Sequence, residues 1–216
     1  MKNLKGKPFA FLVFSLFAAC FVVIAFTSGA TVTDVWSALR LAYKTIPMVL
    51  LIGSLFVAYG WRLPIFRKWL VPFPDLNGTW EGSIQTTWKD PESGKTPGPV
   101  PVILTIKQSF ISISCVMRTA EMCSRSYFAD FWIDRDQQLQ KLGYSYLSAP
   151  LPSVQHRSPT HEGTMMFDVV GNPAIKLNGI YWTSRSTSGE VNMTLRTRQL
   201  LEEFPSDLGP HPVSGK

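Results

Sequence analysis

The sequence predicts a two-helix membrane hairpin followed by one all-β domain, an eight-stranded antiparallel up-and-down β-barrel of the lipocalin-like type. Three observations carry this. The long apolar runs all fall before residue 62. Beyond them the chain alternates apolar and polar residues with the period of two that marks half-buried strands. Short clusters of Gly, Pro, Asn, Asp and Ser punctuate that alternation at turn spacing.

From Pro8 to Thr33 no residue is charged, and the run FAFLVFSLFAACFVVIAF is dense in Phe, Val, Leu and Ile. A helix needs roughly 20 apolar residues to cross a bilayer. Residues 8–30 are therefore read as one span and 1–7 as a cytoplasmic N-terminus. A second uncharged run, 45–61, contains IPMVLLIGSLFVAYGW, with Tyr59 and Trp61 at the position of an aromatic belt. Residues 31–44 are expected to form a short external loop and a helix start, capped by Thr31 or Thr33. Pro47 lies inside that helix and is expected to kink or break it. Lys2, Lys5, Lys7 and then Ser28-Gly29-Ala30 resemble a signal peptide, but the apolar stretch exceeds the usual signal core and a second span follows at once. Lys2, Lys5 and Lys7 precede the first span, and Arg62, Arg67 and Lys68 follow the second. Only Arg40 and Lys44 lie between them, which places both termini in the cytoplasm and the short turn outside.

The formal net charge of +6 suits an anionic membrane surface or a phosphorylated ligand, although part of it is topology signal. Cys20, Cys115 and Cys123 have no metal-ligand spacing and read as reduced, packed thiols. The sequons at Asn77 and Asn192 carry no sugar on a cytoplasmic domain.

Residues 62–74 form a Pro-rich linker, and the barrel occupies 75–203. Eight strands are predicted: Gly78–Trp88, Val100–Phe110, Ile111–Glu121, Ser126–Asp134, Gln138–Ser148, Gly163–Val170, Ile175–Trp182 and Glu190–Arg198. Alternation places Trp80, Ile84 and Trp88 on one face of the first, and Val102, Leu104 and Ile106 on one face of the second. Trp80 is expected at the barrel base and Trp88 at a mouth. Turns are expected at Asp90-Pro91, Gly94, Gly98-Pro99, Asp134 to Gln138, Gly171-Asn172-Pro173 and Ser188-Gly189. The longer link from Ala149 to His161 is expected to cover one mouth. Composition predicts a disordered tail at 204–216.

Chemical motifs are missing from the domain. The sequence holds no G-x-S-x-G, P-loop, H-E-x-x-H or C-x-x-C, and its carboxylates are scattered. His156 and His161 near Glu162 read as loop histidines. The expectation is a binding domain with no catalytic residues, no metal and no cofactor.

Two segments together carry a resemblance. PDLNGTWEGS follows directly on the hairpin and linker, and LNGIYWTSRSTSGEVNM is a hairpin of form G-x-Y-x-T-x-R-x-T-x-G. The arrangement resembles the two-transmembrane, β-strand-rich effectors of CBASS anti-phage operons, which accompany a cGAS/DncV-like nucleotidyltransferase. That resemblance implies that the barrel binds a cyclic dinucleotide made by the partner enzyme. It further implies that the protein then forms a homo-oligomer, disrupts the lipid bilayer through its helices and kills the infected cell. No DNA or RNA polymer is implied as a partner.

Two hairpins supply candidate ligand contacts. The family pattern G-x-Y-x-T-x-R falls on Gly179, Tyr181, Thr183 and Arg185. In an extended hairpin Thr187 shares their side. The hairpin from Arg118 to Tyr127 adds Arg118, Glu121, Ser124 and Ser126, and Trp88 joins from the first strand. Aromatic rings stack on bases, and arginine forks fit phosphate oxygens. The competing expectations are a membrane-tethered lipocalin-like barrel that binds an apolar ligand, for which Arg185 is irrelevant, and a membrane-bound enzyme acting on lipid, for which no constellation is found.

Overall fold

A computed structural model of the chain describes residues 6–67, 69–90, 94–134, 136–171 and 173–213. Lys2, Lys5, Lys68, Pro91, Asn172 and residues 214–216, which carry topology, turn or tail signals in the sequence, lie outside them. The chain divides into two compact units, Met1–Pro72 and Phe73–Lys216.

The first unit is a helical hairpin. α1 spans Gly6–Ser28 and α2 spans Val35–Ala58. The 23 residues of α1 reach about 34 Å at ~1.5 Å per residue, which exceeds the ~30 Å hydrocarbon core of a bilayer. α1 ends at Gly29, whose φ of +61° is the left-handed conformation that lets Ala30 N–H return to Ala25 O at 3.1 Å. α2 is capped by Asp34, not by the expected threonines. The Asp34 carboxylate accepts from Ser37 N at 2.6 Å, and Ser37 Oγ accepts from Asp34 N at 3.1 Å, a reciprocal capping box. The helix begins at Val35, nearly three turns before the predicted span, and runs through Pro47 without a break. Cys20, Leu41 and Thr45 are buried in this unit, and Phe11, Phe14, Val22, Phe26, Leu50 and Leu51 are exposed. Both helices are long and apolar enough to cross a membrane. Two 3-10 turns, Gly60–Arg62 and Pro64–Phe66, follow where Pro64 forbids continuation of the helix.

The second unit is the predicted barrel. Its strands are β1 (Gly78–Thr86), β2 (Val100–Gln108), β3 (Ile113–Arg118), β4 (Met122–Asp134), β5 (Leu139–Pro150), β6 (His161–Val170), β7 (Lys176–Thr183) and β8 (Ser188–Thr197). Each pairs antiparallel with its neighbours in sequence, and β8 closes on β1, so no edge is left open. Close approach of β1 and β8 requires Gly82, because a Cβ there would strike the Asn192 carbonyl.

One end of the barrel is packed solid. Trp80, Leu104, Ile106, Leu142, Phe167 and Leu177 are fully buried there. The segment leading into β1 plugs this end. Phe73 stacks on Phe131 with ring centroids 5.7 Å apart, and Trp80 Nε1 donates to Leu76 O at 3.0 Å. Gln108 ties the plug down. Its Oε1 accepts Leu76 N–H at 2.8 Å, and its Nε2 donates to Pro74 O at 2.9 Å.

The segment after β8 is tied to the barrel, and the part of the expected tail 204–216 that is described, 204–213, continues from it. Thr79 Oγ1 donates to Gln199 O and Thr105 Oγ1 to Leu201 O, each at 2.8 Å. Arg196 bridges Glu81 and Asp207 at 2.6 and 2.8 Å. A 3-10 turn at Ser206–Leu208 follows. Composition missed this because the anchors are hydroxyls and charges on the outer faces of the strands.

Candidate functional site

At the other end the strands diverge around a pocket of about 840 Å³ of atom-free space, its open mouth included. Its apolar floor includes Ile84, Val100, Met117, Met122 and Met165, with Trp88 from the segment after β1 beside them. Tyr146 and Tyr181 rise from β5 and β7. The Tyr181 hydroxyl donates to Thr86 Oγ1 at 2.6 Å. Gly163 on β6 leaves room for the Tyr146 ring, which a Cβ at that position would strike. Burial pushes both phenols up, so they stay protonated and act as hydrogen-bond donors.

The β7–β8 link is a tight turn, not the extended hairpin expected. Thr183 N–H donates to Thr187 O at 2.9 Å, the two hydroxyls lie 2.7 Å apart, and Ser186 has φ +59°. This turn aims Arg185 into the pocket, where Nη1 donates to Ser158 Oγ at 3.2 Å. Arg185 Nε is buried and has no partner, an orphan donor that costs energy until something accepts from it. Burial lowers the Arg185 pKa, and the tyrosines Tyr146 and Tyr181 oppose that shift.

Glu121 and Ser124 also line the pocket. Glu121 Oε1 accepts from Arg157 Nη2 at 2.5 Å, and its Oε2 lies 3.6 Å from His211 Nδ1. His161, at the start of β6, has Nδ1 3.0 Å from Pro159 O. A carbonyl only accepts, so Nδ1 carries the proton and Nε2 is left as an acceptor when the ring is neutral. Burial lowers the pKa of both histidines, with Glu121 raising that of His211. Among the described residues no group of three His, Cys, Asp or Glu side chains is placed to hold a metal ion.

A family model described as "Cap15, cyclic dinucleotide receptor domain" matches residues 71–196, more than half of the chain. The chain belongs to this family. It is also 25% identical over 179 residues to CD-NTase-associated protein 15 of Staphylococcus schleiferi, a match that spans 82% of this chain and 90% of that protein. The resemblance carried by PDLNGTWEGS and the β7–β8 motif is borne out at family level, and the barrel is a cyclic dinucleotide receptor domain.

The structure brings most of the sequence-predicted site residues of this receptor domain to one place. Tyr181, Thr183, Arg185, Thr187, Glu121, Ser124 and Trp88 all line the pocket. Arg118 and Ser126 do not. Arg118 sits on the outer face of β3, paired with Ile103 and Cys123, because the strand alternates and Met117 takes the inward position. The Ser126 hydroxyl accepts Cys115 N–H at 2.9 Å beside an irregularity in β4, so it repairs the sheet.

The residues that sequence reasoning missed are Tyr146, Arg157, Ser158, His161 and His211. Tyr146 is legible as inward-facing from the alternation of its strand, and Arg157 and Ser158 belong to the β5–β6 link, whose length suits a cover. Nothing local in the sequence links His211 to the pocket. It arrives by the path of the tail, and the family match ends before it.

Proposed function

We propose that this protein is the membrane-bound effector of a CBASS anti-phage system. Its barrel stands on the cytoplasmic side and binds a cyclic dinucleotide made by a cGAS/DncV-like nucleotidyltransferase. The observation that carries the reading is Arg185, whose unpartnered Nε faces a pocket walled by tyrosines and hydroxyls in a cyclic dinucleotide receptor domain. In this reading Arg185 holds a phosphate. Tyr181 and Trp88 flank bases, and Thr183, Thr187 and Ser124 complete the polar contacts.

Binding then drives homo-oligomerisation, and α1 and α2 disrupt the inner membrane so that the cell dies before phage matures. The outside of the barrel supports the assembly step. Phe128, Ser145, Thr164 and Trp182 form one cross-strand row, and Trp132 and Ile180 stand beside it. The four large side chains Phe128, Trp132, Ile180 and Trp182 are 47–61% exposed. The N-terminal spans and the basic residues Arg62 and Arg67 support the inward orientation.

The test is dye release from liposomes holding the full chain. Release that requires a cyclic dinucleotide, and that Trp132→Glu abolishes without abolishing ligand binding, is the expected result. Release without ligand, or none with any ligand that binds, contradicts the proposal.

A further inference from the structure

Three groups from three separate segments meet at one wall of the pocket. Glu121 comes from the turn before β4, Arg157 from the β5–β6 connection and His211 from the C-terminal tail. The Arg157 and Glu121 side chains are only 11% and 10% exposed, and that of His211 only 12%. The seating is specific. Val213 N–H donates to His211 Nδ1 at 3.2 Å, so in the neutral ring Nδ1 is an acceptor and His211 covers Glu121 by packing, not by a hydrogen bond. The Arg196–Asp207 bridge ties the tail to β8 just upstream, and His211 Nδ1 lies 3.6 Å from Glu121 Oε2.

The two arginines that line the pocket differ in occupancy. Ser158, next in sequence to Arg157, accepts from Arg185, so both arginines belong to one wall. Arg185 has an orphan Nε, whereas Arg157 Nη2 donates to the Glu121 carboxylate. A carboxylate and a phosphate offer a guanidinium the same paired-oxygen geometry. With Glu121 ionised, two arginines and one carboxylate sum to a single positive charge. A ligand with two phosphodiesters brings two negative charges, and moving Glu121 aside matches both arginines to both phosphates.

We propose that Arg157 is a second phosphate anchor of the pocket, that Glu121 engages its guanidinium until ligand arrives, and that His211 on the C-terminal tail covers this pair. The proposal rests on the reading of the pocket as a dinucleotide site and adds to it an internal competitor. Ligand affinity is then set partly by the free energy of releasing Glu121 and the tail. The tail beyond Leu208 is an inhibitory element.

The test is calorimetry on the full chain in detergent with two kinds of probe. One is inorganic phosphate. The other is a set of cyclic di-AMP, cyclic di-GMP and cyclic GMP–AMP. Glu121→Gln is expected to tighten binding of phosphate, and of whichever dinucleotide binds the wild type, by about tenfold, since charged hydrogen bonds of this kind are worth ~1.5–3 kcal/mol. A chain ending at Leu208 is expected to tighten it by a smaller factor. The double variant Glu121→Gln with Arg157→Gln is expected to lose the gain.

Weaker binding in Glu121→Gln would show that the carboxylate touches the ligand, and weaker binding in the shortened chain would make the tail part of the site. Either result, or no change in both, overturns the proposal. Should Glu121→Gln lower the unfolding midpoint enough to leave it unfolded, the shortened chain decides alone. If no dinucleotide binds but phosphate tightens as described, the anchor stands and the dinucleotide reading falls. If a dinucleotide binds equally well to every variant, the anchor falls and the dinucleotide reading stands.

Discussion

At its packed end the barrel presents Trp80, Ile106, Phe131 and Leu177. At its open end the same strands or their extensions present Trp88, Tyr146, Tyr181 and Thr183. The polar groups differ in the same way. Gln108 at the packed end spends both ends of its amide on the plug, whereas Arg185 at the open end keeps a buried donor without an acceptor. The same barrel strands run through both halves, so the contrast lies largely in the side chains they present. Among the described residues the packed end leaves only a neutral orphan, the Tyr144 hydroxyl, whereas the open end leaves a cationic donor facing a pocket, in the manner of a site awaiting a ligand.

Substitutions should separate these two halves. The largest effect is expected from Trp80→Ala, which removes a fully buried indole. It should lower barrel stability by about 3–5 kcal/mol, read from denaturant midpoints at constant slope. A loss below about 1 kcal/mol would mean that the packed end is not the source of stability. Arg185→Ala should do the opposite. It should leave the unfolding midpoint unchanged or raise it, while weakening dinucleotide binding by about 10–100-fold.

Tyr181→Phe deletes the hydroxyl that donates to Thr86 and should cost only about 0.5–1.5 kcal/mol of stability, with a measurable drop in affinity. The smallest effect concerns pH. His161 and His211 are held neutral by burial, with folded pKa values below the ordinary 6.5. Their contribution to stability is therefore present above that value and lost as pH falls through the lowered folded values. The melting temperature of the wild type should fall on acidification from neutrality toward pH 5 more than that of a His161→Gln, His211→Gln double variant.

The packed end was readable from the sequence because a barrel interior obeys alternation. Val102, Leu104 and Ile106, and Leu142 with Tyr144, announce their face by spacing alone. The open end was half readable. Tyr181 and Thr183 followed from alternation and from the family motif, and Trp88 from its place beyond β1. Arg118 misled because it stands one residue past the inward Met117, and in a strand one residue changes the face. Arg157 and His211 were invisible for a different reason. Connections and tails have no period, so only the folded path brings a residue from position 211 against one at 121. The membrane hairpin was legible from length and hydropathy, but its cap was not. Asp34 and Ser37 form a box that the two nearby threonines obscured.

The most direct test of the central claim, that the open end is a cyclic dinucleotide site centred on Arg185, is a calorimetric titration of the full chain in detergent with a panel of cyclic dinucleotides. The account predicts saturable binding of at least one of them, lost or strongly weakened in Arg185→Ala and retained in Arg118→Ala. A folded protein that gives no heat with any member of the panel, or that binds equally well without Arg185, would contradict it.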